Sequence, residues 1–135
     1  MIPLRAAATV AACLLLSTAF AEEARVCKHG EASASMRLLA MRIDREKPYA
    51  AWAKPGCLVY LPLCTRTAVQ ISIHEKHNDS CGEDPHTFPS VDAFRVDKQA
   101  GTIEWMDFAS GDYVPFERLC GFRKCAMSTA PPDAR

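Results

Sequence analysis

The chain lacks an excess of charge: Lys and Arg together number 16, and so do Asp and Glu. Nucleic-acid binding and adhesion to an anionic membrane surface both leave a basic excess as their footprint, so neither class is expected. Catalytic signatures are missing too. No G-x-S-x-G and no S-x-x-K occurs, and "HEKH" (His74 to His77) falls one residue short of the H-E-x-x-H of zinc proteases. There is no internal repeat and no low-complexity tract. No apolar run is long enough for a membrane span; the one near the N-terminus is too short and too polar at its end. These absences predict a protein without nucleic acid, transmembrane segment, cofactor or enzymatic activity.

The N-terminus itself is informative. "MIPLR" carries one positive charge, "AAATVAACLLLSTAF" has the length of a secretory apolar core, and "AFA" ending at Ala21 is an A-x-A cleavage signal followed by the acidic "EEAR". Residues 1–21 are therefore expected to be a secretory signal peptide cleaved after Ala21, placing the mature protein in the periplasm or outside the cell. The rival reading, a lipoprotein signal with Cys13 of "VAAC" acylated, leaves only a short apolar core before a cysteine that the apolar run passes by. Cleavage removes Arg5 and no acid, leaving 15 basic against 16 acidic residues and a net charge of −1. The remaining chain is long enough for one modest core. A single domain is expected over 22–127, with a flexible tail, "STAPPDAR", over 128–135.

Six cysteines survive processing: Cys27, Cys57, Cys64, Cys81, Cys120 and Cys125. An even number in an exported chain implies three disulfides and no free thiol for nucleophilic chemistry. The connectivity stays open. Cys120 and Cys125 can pair if Gly121 turns the chain. Cys57 and Cys64 cannot pair across one straight strand, because seven steps of about 3.3 Å far exceed disulfide reach.

Periodicity predicts one helix and then strands. In "EASASMRLLAMRIDREK", Met36, Leu39, Ala40, Ile43 and Lys47 share a helical face; Ser33 or Ser35 is the expected cap, and Pro48 ends or restarts the helix. "LVYL" is a short β-prone run, "LCTRT" a connection, and Pro62 an edge or strand end. "AVQISIH" alternates, with Val69, Ile71 and Ile73 on one face and Gln70, Ser72 and His74 on the other. "DAFRVDKQAGTIEWMDFASGDYVPFE" reads as a meander with turns at Gly101 and at "SGD". The fold class is α+β: an N-terminal helix packed on a small antiparallel meander and stabilised by disulfides.

The stretch "HEKHNDSCGEDPHTFP" holds three of the four histidines. His74, His77, Cys81, Asp84 and His86 are all possible zinc ligands. Yet residues three apart on a strand point to opposite faces, and Cys81 is expected in a disulfide. The alternative of a metal-binding protein or metal-dependent hydrolase using His74, His77 and His86 ranks second. First is a stiff loop: Gly82 allows a tight turn, Pro85 and Pro89 fix the backbone, Asp79, Ser80, Asp84 and Thr87 bond to nearby backbone, and Phe88 anchors on the core. On this reading His74 and His77 are dispensable for stability. A pinned loop is a natural binding element, and its candidate residues are His74, His77, Asn78, Asp84, His86 and Thr87.

The same residues carry a resemblance. The pattern H-N-x-x-C-G-x-D-P-x-T-x-P from His77 to Pro89, followed by "FRVD" and a glycine turn, resembles small exported bacterial proteins of unassigned function. The hairpin "FRVDKQAGTIEW" is similar to the second hairpin of PepSY-type domains, exported modules that often inhibit or bind. The resemblance implies no catalytic residue. Together with the exclusions, it leads to a small exported protein of binding or inhibitory kind, its partner another protein of the cell envelope such as an enzyme or toxin.

Overall fold

A computed structural model describes residues 22–54 and 56–125. The expected signal peptide, the alternative lipidation site at Cys13 and the expected tail lie outside the described residues. The architecture is α+β. A six-stranded antiparallel sheet runs in simple chain order, β1 (Arg25–Val26), β2 (Leu58–Cys64), β3 (Ala68–Glu75), β4 (Ser90–Asp97), β5 (Ile103–Asp107) and β6 (Asp112–Pro115). Helix α1 (Ser33–Glu46) precedes β2 and the short α2 (Glu117–Arg123) follows β6.

The alternation in β3 sets the layers. Val69, Ile71 and Ile73 are fully buried, and their cross-strand partners Val96, Phe94 and Asp92 point the same way, because directly opposed residues share a face. Leu39 and Ile43 of α1, together with Phe116 and Leu119 around the start of α2, join these residues and Trp105 in one core. Both helices therefore bury their apolar residues against the same face of the sheet.

Local chemistry explains most element ends. Ala32 is the N-cap of α1 and offers no side-chain cap, while Ser33 lies inside the helix and Ser35 is buried; the expected serine cap is not used. The Glu31 carboxylate, one residue earlier, takes the Lys28 backbone N–H at 2.8 Å, which fixes the turn leading into α1 and does not cap the helix itself. Lys47 closes α1 in the left-handed region at φ 52°, its N–H donating to the Ile43 carbonyl, and Pro48 prevents continuation. The β4–β5 and β5–β6 turns use Gly101 and Gly111 at positive φ, as "DKQAG" and "SGD" imply.

Strand β2 is longer than "LVYL" and takes in the "LC" read as connection, so the chain turns over Thr65–Thr67. Strand β1 and helix α2 were not foreseen. Two residues carry no periodicity, and in "ERLCGFR" Gly121 and Cys120 mask a helix only seven residues long.

The six cysteines form three pairs: Cys27–Cys64, Cys57–Cys81 and Cys120–Cys125. The first ties the chain after β1 to the end of β2. The second ties the start of β2 to the histidine-containing loop, and the third closes α2. Among the described residues, no helix is long and apolar enough to cross a membrane.

Candidate functional site

The loop between β3 and β4 is built almost residue by residue from its sequence. Lys76 N–H donates to the Cys57 carbonyl at 2.8 Å, holding the exit from β3 against the approach to β2. Asn78 Oδ1 then accepts the backbone N–H groups of Ser80 and Cys81 at 3.0 and 2.9 Å. Gly82 and Glu83 both take positive φ, 85° and 69°, which reverses the chain beside the Cys57–Cys81 bridge. Asp84 Oδ1 accepts the His86 N–H at 2.9 Å, and its carbonyl accepts both the Thr87 N–H, at 3.0 Å, and the Thr87 hydroxyl, at 2.8 Å. Glu75 N–H reaches the Pro89 carbonyl at 3.0 Å and closes the loop as β4 begins.

His77 lies beneath this loop, its side chain only 6% exposed. Nδ1 faces the Thr87 hydroxyl and sits 3.2 Å from the Asp84 carbonyl, so a proton on Nδ1 serves both acceptors. Nε2 faces Glu75 Oε2 at 3.4 Å. This burial gives His77 a place in the packing under the loop, where the sequence led to the expectation that it is dispensable for stability. His74 is on the outer face of β3 as its alternation predicts. Its ring stacks on Phe88 with centroids 4.6 Å apart, and its nitrogens lie 3.3 Å from the Phe88 carbonyl and 3.2 Å from Ser72 Oγ. Phe88 thus anchors the loop on the outside of the sheet rather than on the core, and remains 50% exposed. Asp79 and Ser80 are exposed, and the Asx turn comes from Asn78 instead. His86 is exposed. Loop bonding engages Nδ1 of His77 and both ring nitrogens of His74, while His77 Nε2 is buried without a hydrogen-bond partner. Among the described residues no three His, Cys, Asp or Glu side chains are placed to hold a metal ion.

The loop continues into a surface that periodicity did not reveal. Cross-strand register puts Val59 opposite His74, Leu61 opposite Ser72, Leu63 opposite Gln70, and Val26 opposite Leu63. These aliphatic residues therefore share the outer face with His74, away from both helices. Leu61 is 43% exposed, Leu63 44% and Val26 82%. A strip runs from Val26 through Leu63, Leu61 and Val59 to the His74–Phe88 stack, with no described element over it. The other half of this face is different: Arg95 pairs with Glu104 at 2.7 Å and lies 4.4 Å over the Tyr113 ring. Sequence reading missed the strip because "LVYLPL" is apolar at every position. That pattern belongs to a strand with two apolar faces, and it is the signal that was there to be used.

One buried ionisable cluster lies on the opposite face. Asp92, fully buried, accepts bonds from Tyr49 Oη at 2.8 Å, Trp105 Nε1 at 2.7 Å and Arg123 Nη2 at 3.2 Å. Burial, and then the Asp92 charge, push the Tyr49 phenol well above the ordinary tyrosine value. Every partner is engaged with Asp92 and the carboxylate has no exposed surface, so the cluster ties the segment after α1, the adjacent strands β4 and β5, and α2 together.

Compared with family models, with curated proteins and with solved structures, the chain matches none.

Proposed function

We propose that the mature chain is a small exported protein of binding or inhibitor type, docking a protein partner of the cell envelope through the outer face of its sheet. The observation that carries this reading is the aliphatic strip Val26–Leu63–Leu61–Val59 running into Phe88 on a loop held by a disulfide and side-chain caps. Contiguous exposed apolar area rimmed by polar residues marks interaction surfaces, and aromatic side chains on rigid supports are the usual anchors. The three disulfides fit an oxidising compartment, in agreement with the signal peptide read in residues 1–21. On this reading the H-N-x-x-C-G-x-D-P-x-T-x-P pattern is the signature of a loop architecture that presents a surface, and the protein is not an enzyme.

The test is a crosslinking photo-amino acid placed at Leu61 in cells exporting the protein. Capture of one defined envelope protein is expected. The double variant Leu61→Asp, Phe88→Ser, with the probe moved to Val59, should lose that adduct at least tenfold while melting at the wild-type temperature. Equal capture by the double variant would remove the outer face from consideration.

A further inference from the structure

We propose that the open edge of β2 receives an additional strand from the partner: an extended segment carrying an apolar side chain flanked by an acidic residue. The inference rests on the protein-binding reading and names the part of the partner that is bound.

The edge comes first. Strand β1 pairs only with Leu63 and Cys64, so among the described residues Leu58–Pro62 has a neighbour on the β3 side alone. The hydrogen-bond alternation of an antiparallel ladder says which groups are free. Lys76 N–H donates to the Cys57 carbonyl and Thr65 N–H to the Ala68 carbonyl, so the odd-numbered residues bond toward β3. Leu58 and Tyr60 therefore turn their N–H and C=O groups to the open side, together with the carbonyl of Pro62. Exposed edges of this kind are normally blunted by charge, proline, bulges or brevity. Strand β2 is seven residues long, has no charged residue, and carries its proline near one end. Four residues from Leu58 to Leu61 are left as an unprotected template.

A groove lies beside the template. Leu58 and Tyr60, whose side chains point inward from this edge, form one wall of a cavity of about 460 Å³. The other wall is the C-terminal end of α1 and the turn after it, through Ile43, Ala50 and Ala53, with Lys47 and Lys54 set against Asp44. A strand added along Leu58–Pro62 would hang alternate side chains over this cavity and the intervening ones beside Val59 and Leu61. An edge strand flanked by a helix is the arrangement in which backbone bonds supply affinity and a side pocket supplies selectivity. The apolar floor selects an aliphatic or aromatic side chain. Two lysines against one aspartate select an acidic neighbour. A second copy of this chain fits less well, since pairing two β2 edges would bring together two linings in which two lysines outnumber one aspartate, so each meets the same net positive charge.

The probe is a displayed library of random heptapeptides selected on the processed, oxidised protein. Enriched peptides should place an acidic residue next to or two positions from an apolar one. The best of them, made synthetically, should bind at least tenfold more weakly to Lys54→Glu and to Ala50→Trp, which fills the cavity, when both variants melt as wild type. N-methylation at alternate positions should abolish binding in one parity and spare it in the other, a readout that only a paired strand gives. Binding that responds to Phe88→Ser but to neither groove variant overturns strand addition and leaves the protein-binding reading standing. Enrichment no better than on an unrelated disulfide-bonded protein also overturns strand addition; only if the crosslinking at Leu61 fails as well does the broader reading fall with it. A solution dimer that Ala50→Trp converts to monomer assigns the edge to a second copy and overturns the proposal.

Discussion

A carboxylate with no exposed surface is the most consequential single residue. Asp92 is bonded by Tyr49, Trp105 and Arg123, drawn from three separate parts of the chain. Removing it strands two buried neutral donors and one cation. Breaking a buried pair from one side costs about 3–5 kcal/mol, against a total stability of about 5–15 kcal/mol for a domain. The exposed pair Arg25–Glu31, also at 2.8 Å, is of the kind worth only about 0–1 kcal/mol. Asp92→Ala is therefore expected to lower the urea midpoint far more than Arg25→Ala, and similar midpoints would refute the assignment. This residue was partly legible. In "SVDAFRVD" it stands two and four positions before Phe94 and Val96, on the inward parity, where a charge is out of place unless paired. What the sequence could not show was the partners, since Tyr49 and Arg123 arrive from segments 43 and 31 residues away.

At the scale of elements, legibility followed length and periodicity. Helix α1 and strand β3 repeat their pattern often enough to be read, and the two glycine turns carry their own steric signature. Strand β1 and helix α2 are too short to show a period. The loop is the instructive case. Its residues suggested ligands, yet in the H-N-x-x-C-G-x-D-P-x-T-x-P pattern His77, Asn78, Cys81, Gly82, Asp84 and Thr87 each complete a turn, cap or bridge. Cys81→Ser with Cys57→Ser opens a closure spanning 24 positions, and the chain-entropy account gives a cost on the order of 3 kcal/mol. His77→Ala deletes bonds to Asp84 and Thr87 under the loop and should cost about 1 kcal/mol, where sequence reading alone expected none. Thermal melting with and without zinc checks both. A zinc-dependent rise in the wild type that His77→Ala abolishes would restore the metal-site alternative.

At the scale of the molecule, acid should loosen the end of the fold where the chain enters it. Glu31 stands between β1 and α1, and its carboxylate takes Arg25 at 2.8 Å, Lys98 of the β4–β5 turn at 2.9 Å and the Lys28 N–H at 2.8 Å. The Arg25 guanidinium first, then the Lys98 ammonium and the Lys28 amide, hold its pKa well below the ordinary carboxylate value of 4.5. Glu117, bonded to Arg42 at 2.8 Å, is lowered in the same sense, chiefly by that guanidinium. A carboxylate whose folded pKa is depressed binds a proton more readily when unfolded. Its contribution is complete above about 4.5 and is lost as pH falls toward the folded value. The melting temperature is thus expected to change little between neutral pH and about pH 5 on account of these groups, and to fall below it. Glu31→Gln should melt below wild type at pH 7, show a shallower acid limb, and converge with wild type at the acid end. Added salt should narrow the neutral-pH difference, because the site lies at the surface and is screened. Melting curves of the two proteins that stay parallel down to pH 2 would show that Glu31 joins these segments by geometry alone, without its charge.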